Sequence, residues 1–142
     1  MAQSFVSSRH LVIHSFDLVA VNEYVKVANM TAVPLPSACA DILVCCLSLM
    51  NKDYERALGE AHRLLKPGGS LWIAEVSSRL GPGGLDAFKL QIEAAGFTLQ
   101  ASDEPNKFFI LLFASKIAMP PKSSRDKRPR GAVLKPCLYK KR

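Results

Sequence analysis

Leu65-Lys66-Pro67-Gly68-Gly69-Ser70-Leu71 is the stretch that decides the fold of this 142-residue chain. Before it, from Asp53 to Leu65, apolar residues recur at helical spacing. After it, Ser70 to Val76 (S-L-W-I-A-E-V) has the composition of a strand. Proline cannot continue the helix, and glycine permits the sharp reversal that turns the chain back into a sheet. The stretch therefore predicts a helix, a tight reversal and a strand.

Three further strands are predicted upstream of this unit. His10 to Phe16 is apolar and rich in β-branched residues, and Tyr24 to Ala28 is a second short strand that ends at Asn29. Ala40 to Met50 (A-D-I-L-V-C-C-L-S-L-M) is a continuous apolar run. Such a run is typical of a central parallel strand, so we expect it to be buried on both faces.

Downstream, the pattern predicts one more helix and a hairpin. Leu85 to Ala95 is amphipathic, and Gly96 ends it. Phe97 to Ala101 and Phe108 to Ser115 are the last strands, and the short connection between them favours antiparallel pairing. Strands that alternate with helices indicate an α/β sheet, here mostly parallel with an antiparallel C-terminal hairpin.

The charge of the chain is concentrated at its C-terminal end. Residues 1–116 hold ten Lys/Arg and eleven Asp/Glu, whereas residues 117–142 hold nine Lys/Arg and one Asp. We therefore expect one domain over residues 1–116 and a basic tail over residues 117–142. A basic tail on a nearly neutral domain favours a polyanion partner such as RNA or DNA. The alternative is a solvated tail without a partner.

The cysteines and histidines do not suggest a disulfide or a metal site. Cys45 and Cys46 are adjacent, so on a strand they point to opposite faces, and no pair of cysteines has C-x-x-C spacing. The histidines are scattered, and the serines lack the G-x-S-x-G pattern of a hydrolase. We expect no metal, a reducing compartment, no membrane-spanning segment and a soluble intracellular protein.

Candidate site residues follow the strands, because α/β sheets bind ligands at the carboxyl ends of their strands. An aspartate after the first strand, Asp17, can accept both hydrogen bonds of a ribose diol, or it can simply cap a turn. Asn29 and Met30 follow the second strand and can contact an adenine edge and face. From the residues alone, a turn asparagine and a core methionine are favoured over that role. Cys46 to Met50 and Glu75 to Ser78 follow the next two strands.

A helix, L-K-P-G-G and an apolar strand are typical of S-adenosylmethionine-dependent methyltransferases. Several other strings together resemble the ribosomal RNA-processing protein 8 family, called nucleomethylin in animals. They are Ser15-Phe16-Asp17-Leu18, Asn29-Met30 with Val33-Pro34-Leu35, Cys46-Leu47-Ser48-Leu49-Met50, Ala74-Glu75-Val76-Ser77-Ser78-Arg79 and the terminal Leu134-Lys135-Pro136-Cys137-Leu138-Tyr139-Lys140-Lys141-Arg142. The resemblance covers nearly the whole chain and is weakest over residues 80–107 and 117–131.

The resemblance implies a Rossmann-like class I fold and an S-adenosyl-L-methionine-dependent enzyme that methylates N1 of an adenine in large-subunit rRNA. It further implies rRNA processing and ribosome biogenesis in the nucleus and nucleolus, with rRNA and nucleolar chromatin proteins as partners. Carried over by motif, Asp17 holds the cofactor ribose, Asn29 and Met30 flank its adenine, and Cys46 lies against the cofactor. No catalytic residue is assigned, because positioning of the adenine supplies most of the rate.

Two departures from the family pattern matter. The family usually has Asp at the position of Asn29. A glycine-rich first motif, which in the family follows a strand and holds the methionine end of the cofactor, is absent before Ser4. We therefore expect a partial domain that lacks a central strand between those ending at Asp17 and Cys46, and no turnover by residues 1–142 alone. The alternative function is a non-catalytic RNA-binding remnant of such an enzyme, whereas a methyltransferase for small molecules or proteins fits the basic tail less well.

Overall fold

The computed structural model describes residues 11–50, 53–117 and 134–135. In chain order the elements are β1 (Ser15–Asp17), β2 (Val25–Val27), β3 (Ala40–Cys46), α1 (Tyr54–Leu64), β4 (Leu65–Val76), a 3-10 turn (Ser77–Arg79), α2 (Gly84–Ala94), β5 (Phe97–Asn106) and β6 (Phe109–Lys116). Within the described residues, neither helix has the length and apolar composition needed to cross a membrane.

The strands of the described residues form two separate sheets. β1 and β2 pair in parallel, and the other four strands form a sheet in the order β3-β4-β6-β5. In the larger sheet β3 and β4 are parallel, while β6 runs antiparallel to both of its neighbours. The predicted α/β class is confirmed, and so is the antiparallel C-terminal hairpin of β5 and β6.

The hydrophobic core lies on one face of the four-stranded sheet, between that face and the two helices. Because side chains alternate along a strand, Leu71 and Ile73 of β4 are buried while Trp72 between them is 43% exposed. From the helices, Leu58 and Phe88 belong to the same buried cluster. The buried positions of α1 and α2 follow the helical periodicity from which both helices are predicted.

Within the described residues, the Ala40–Met50 run is not the central strand buried on both faces that the sequence predicts. β3 ends at Cys46, and its side chains alternate between a buried Cys45 and exposed Ile42 and Val44. In the part of the chain that the structure describes, β3 pairs only with β4. A uniformly apolar run shows that both faces can be buried, but it does not show which element covers the second face.

The first strands are also shorter than predicted. β1 begins at Ser15, residues 11–14 are not in a strand, and His10 lies outside the described residues. β1 includes Asp17, which the prediction placed just beyond the strand. β2 covers the middle of the predicted second strand.

The L-K-P-G-G reversal follows α1 directly and forms the beginning of β4. The strand therefore begins at Leu65, five residues before the predicted start at Ser70. Ala40 pairs with Leu65, but Ile42 pairs with Ser70, so the intervening residues bulge out of the ladder. Gly68 has a φ of 76°, and a Cβ on Gly69 would lie 2.9 Å from the carbonyl oxygen of Lys66. The glycines therefore allow the sharp reversal that the sequence predicts.

A third glycine, Gly96, follows α2 and lies beside a histidine of α1. Gly96 has a φ of 97°, and a Cβ there would lie 2.7 Å from Nε2 of His62. That ring packs edge-on against Phe97 at 5.5 Å and hydrogen-bonds the carbonyl oxygen of Ile117 at 3.2 Å. Burial lowers the pKa of His62. Gly96 therefore lies where the end of α2, His62 of α1 and the start of β5 pack together.

We expect Gly96→Ala to lower the free energy of unfolding by about 1–3 kcal/mol, because alanine is strained at this φ and displaces the His62 ring. Urea denaturation measures the change. Gly59→Ala is the matched control, since Gly59 lies inside α1 and a Cβ at this position would meet nothing within 4 Å. It should raise stability by about 0.5–1 kcal/mol. Equal effects of the two substitutions would show that position 96 places no special demand on the backbone.

Candidate functional site

The carboxyl ends of β3 and β4 lie side by side. The two strands are parallel, and Cys46, the last residue of β3, pairs with Ala74. Cys46 is exposed, while Cys45 points into the core, as the adjacent positions predict. Burial raises the pKa of Cys45 to about 12, which makes this thiol inert at neutral pH. Of the two, only Cys46 can face a ligand.

The chain turns sharply after Cys46. Leu47 has a φ of 52°, a conformation that costs a residue with a side chain about 1 kcal/mol or more. Its amide donates a hydrogen bond to the carbonyl oxygen of Ala74 at 2.9 Å. Left-handed residues other than glycine persist only where the surroundings hold them, and they are frequent at functional sites.

A buried ion pair lies under this turn. Glu75 is fully buried, and its Oε2 accepts a hydrogen bond from Arg79 at 2.6 Å. Its Oε1 accepts a hydrogen bond from the amide of Leu49 at 3.1 Å, and Arg79 donates to the carbonyl oxygen of Leu49. Through Nε, Arg79 also donates to the carbonyl oxygen of Lys135 at 3.0 Å.

The sequence identifies Glu75 as a strand-end residue but does not predict the ion pair. The available signal was a glutamate followed four residues later by an arginine, at the end of an apolar strand. Charged residues are rarely fully buried unless they are paired. The partner atoms on Leu49, however, lie 26 residues away from Glu75 along the chain.

Asp17 lies at the carboxyl end of β1 with its side chain exposed. Its Oδ1 accepts a hydrogen bond from the amide of Val19 at 3.3 Å, so the aspartate caps a turn. Within the described residues, Oδ2 makes no hydrogen bond. Both roles considered for Asp17 thus remain compatible with the geometry, and its free carboxylate oxygen suits a ribose hydroxyl.

Asn29 and Met30 follow β2 at the same edge of the small sheet. The Oδ1 of Asn29 accepts hydrogen bonds from the amide and the hydroxyl of Thr31, each at 3.0 Å, which makes it a turn asparagine. Met30 is partly buried against the hydrophobic core. The local roles favoured from the residues alone are therefore present, and the adenine contacts stay a prediction.

The segment after Met30 is attached to α1. Glu60 accepts a hydrogen bond from the amide of Val33 at 2.8 Å, and Arg63 donates to the carbonyl oxygens of Val33 and Leu35 at 3.1 and 2.9 Å. The hydrogen bond from Arg63 lowers the pKa of Glu60. These bonds hold residues 33–35 against α1, and no backbone ladder joins the two sheets in the described residues.

The structure therefore brings the candidate residues together in two groups. Asp17, Asn29 and Met30 share the carboxyl edge of the small sheet, and Cys46 shares the carboxyl edge of the larger sheet with Glu75. The first group offers a carboxylate oxygen without a hydrogen bond in the described residues, an amide and an apolar side chain. Among the described residues, no three His, Cys, Asp or Glu side chains cluster as metal ligands would.

Comparison with known proteins gives relatives along the whole chain. The sequence model of a family described as "Hypothetical methyltransferase" matches residues 1–142. The chain is 38% identical to the 25S rRNA (adenine(645)-N(1))-methyltransferase of Schizosaccharomyces pombe, over 100% of this chain and 43% of that protein. It is 43% identical to ribosomal RNA-processing protein 8 of Arabidopsis thaliana, over 92% of this chain and 46% of that protein. The chain thus spans less than half the length of these relatives.

Solved structures with the same fold include methyltransferases. The 1,6-didemethyltoxoflavin-N1-methyltransferase of Burkholderia thailandensis, solved with S-adenosylhomocysteine, aligns with a TM-score of 0.61 at 20% identity. The alignment covers 72% of this chain and 60% of that one. A SAM-dependent methyltransferase of Methanosarcina mazei aligns with a TM-score of 0.56 at 15% identity, over 67% and 68% of the two chains. At these identities the likeness establishes the fold.

The exposure of Cys46 and the burial of Cys45 predict very different reactivities. We expect iodoacetamide at pH 8 to alkylate Cys46 at least about a hundredfold faster than Cys45, because the buried thiol is not ionised. Mass spectrometry of the peptide that contains both residues, in single Cys45→Ser and Cys46→Ser variants, measures the two rates. In 6 M guanidinium the difference should vanish. Comparable rates in the folded chain would show that β3 does not have the described orientation.

Proposed function

We infer the function of this chain from the family to which it belongs, the hypothetical methyltransferases, whose sequence model spans residues 1–142. The resemblance to ribosomal RNA-processing protein 8 is confirmed by relatives of that name at about 40% identity. We propose that the chain forms part of an S-adenosylmethionine-dependent enzyme that methylates an adenine at N1 in large-subunit rRNA. The observation that carries this proposal is the match over the full chain to a relative named for that reaction.

The strand ends supply the chemistry for binding the cofactor. In this proposal the carboxylate of Asp17 accepts hydrogen bonds from the ribose hydroxyls, while Asn29 and Met30 contact the edge and face of the adenine. Cys46 and the turn after it contact the cofactor from the neighbouring strand. The bound cofactor supplies a methyl group on a sulfonium, which is already a good electrophile. The chain's task is then to hold the adenine N1 in line with that carbon and to exclude water.

The two sheets suggest how the site is completed. Within the described residues, β1 and β3 each have one neighbouring strand, and both belong to parallel pairs. Parallel strands are usually buried inside larger sheets. A strand edge has backbone N–H and C=O groups without partners, and burying them costs free energy. We propose that a further strand, with a glycine-rich loop at its carboxyl end, lies between β1 and β3. It would bring Asp17 and Cys46 to a single edge and provide amides for the methionine end of the cofactor.

The basic tail supplies the proposed affinity for RNA. Five basic residues of this tail, here called the charge run, lie outside the described residues: Lys122, Arg125, Lys127, Arg128 and Arg130. Farther along, Leu134 is buried and pairs with Leu80, directly after Arg79. Leu134 and Lys135 therefore lie beside the turn that follows β4, next to the candidate site. A substrate in rRNA further suggests a nuclear and nucleolar location, with nucleolar chromatin proteins as additional partners.

A methyl-transfer assay tests the proposed activity against the alternative of a non-catalytic RNA-binding remnant. Two proteins are compared: residues 1–142, and a joined protein in which the segment that precedes the aligned region in the S. pombe relative is fused ahead of Met1. We expect the joined protein to transfer radiolabelled methyl from S-adenosylmethionine to unmodified large-subunit rRNA, and residues 1–142 to be inactive. RNA binding by both proteins without transfer by either would favour the remnant.

We expect Asp17 to contribute to cofactor affinity in addition to capping the turn at Val19. In the joined protein we expect Asp17→Ala to weaken S-adenosylhomocysteine binding about 10- to 100-fold, the usual effect of losing a charged hydrogen-bond acceptor. Asp17→Asn can still bond the amide of Val19 but loses one acceptor for the diol, so it should weaken binding as well. Calorimetry measures both. Asp41→Asn, at the amino end of β3, is the control, and an unaffected Asp17→Asn variant would leave Asp17 with its turn role alone.

The charge run should contribute affinity that depends on salt and not on sequence. Replacing its five basic residues with glutamine should weaken binding of single-stranded RNA and reduce the slope of log affinity against log salt by about 3–4. Fluorescence anisotropy between 50 and 300 mM KCl measures this slope. Lys26→Gln with Lys107→Gln, two exposed lysines of the domain, is the control pair. If the five substitutions leave the slope unchanged, the tail is only solvated.

A further inference from the structure

The Glu75–Arg79 pair is buried, and burial of an ion pair is a weak source of stability. Glu75 is fully buried and the side chain of Arg79 is 8% exposed, so both charges have lost most of their water. A buried ion pair often contributes no more than well-packed apolar side chains of similar volume. The sequence around Glu75 is otherwise suited to such packing, because Ile73 and Leu71 of the same face are buried. The role of the pair is therefore inferred from the backbone atoms to which it is hydrogen-bonded.

Those backbone atoms belong to the turn at the candidate site. The carboxylate of Glu75 accepts a hydrogen bond from the amide of Leu49, and the guanidinium of Arg79 donates to the carbonyl oxygen of the same residue. Both polar groups of Leu49 are thus bound by one ion pair. Two residues earlier, Leu47 has a left-handed backbone without the glycine or asparagine that would favour it. The conformation of residues 47–49 therefore depends on contacts from β4 and the turn that follows it.

Arg79 also binds the C-terminal segment. Its Nε donates to the carbonyl oxygen of Lys135 at 3.0 Å, and the amide of Lys135 donates to the carbonyl oxygen of Arg79 at 2.7 Å. Leu134, next to it, is 1% exposed and belongs to the hydrophobic core. One guanidinium therefore connects the turn after β3 with the segment that follows the basic run.

We propose that Glu75 and Arg79 are positioning residues for methyl transfer. They act through the backbone of Leu49, holding residues 47–49 in the strained turn that borders the cofactor, and they fasten the C-terminal segment beside it. This inference rests on the function proposed above for the same site. It predicts that loss of the pair disorders the turn and slows the transfer step even where the fold is as stable as before.

The test separates positioning from stability. Glu75→Leu/Arg79→Met removes both charges and fills a similar volume, so the fold should persist with a thermal midpoint near that of the wild type. Arg79→Lys retains the charge opposite Glu75 but lacks the planar fork that reaches Leu49 and Lys135 together. Asp41→Asn/Lys66→Gln, which removes an exposed ion pair of 2.8 Å, is the matched control. Hydrogen–deuterium exchange is measured on residues 1–142, and methyl transfer is measured on the joined protein.

In the double variant we expect amide exchange within residues 47–50 to become about tenfold faster, because each lost hydrogen bond changes local opening by roughly that factor. We expect kcat to fall about 10²-fold with the KM for RNA unchanged, as for small misplacements near a reacting group. Arg79→Lys should show both effects more weakly, and the control neither. Unchanged exchange at residues 47–50, or faster exchange without a fall in kcat, overturns the proposal. If the wild-type joined protein transfers no methyl group, the proposed function fails, while the exchange data still decide whether the pair holds the turn.

Discussion

The parallel pairing of β3 with β4 is the interaction on which both the core and the site depend. In this register Cys45 pairs with Ile73 on the buried face, so the strands present a continuous apolar surface to the two helices. The same register sets Cys46 beside Ala74 at the carboxyl edge. Because the side-chain period of a strand is two, a slip by one residue would move the core side chains to the exposed face and Cys46 into the core. The L-K-P-G-G bulge sets this register at the amino end of β4.

Polar contacts at the carboxyl edge of the paired strands hold the turn that follows β3. Leu49 is fully buried in the core, and it lies in the connection between β3 and α1, where the chain changes direction. Backbone groups in such a reversal have no ladder partners and need others. Glu75 and Arg79 provide hydrogen-bond partners for the amide and the carbonyl oxygen of Leu49. The ion pair therefore lies between the apolar core and the candidate site. Arg63 likewise binds the backbone carbonyl oxygens of Val33 and Leu35, in the segment that follows Asn29 and Met30.

Local sequence features were sufficient for the elements whose partners lie nearby. The spacing of Tyr54, Ala57, Leu58 and Ala61 predicts α1, the glycines at 68 and 69 predict the reversal, and a short connection predicts the β5–β6 hairpin. Long-range features were not accessible in this way. The apolar run in β3 is the same whether one face or two are covered, and the backbone partner of Glu75 lies in the turn after another strand. β5 continues through Pro105, which lies in an irregularity of the ladder between Asp103 and Asn106, on a strand that is at the edge of the sheet in the described residues.

The central claim is that the cofactor binds across the carboxyl edges of β1, β2 and β3. Hydrogen–deuterium exchange of the joined protein with and without S-adenosylhomocysteine tests it most directly, because it surveys every segment at once. We expect slower exchange in residues 17–19, 29–31 and 46–49, and no change in the shallow groove between α1 and α2 at Glu55 and Gln91. Protection confined to that groove, or to the β5–β6 hairpin, would contradict the claim.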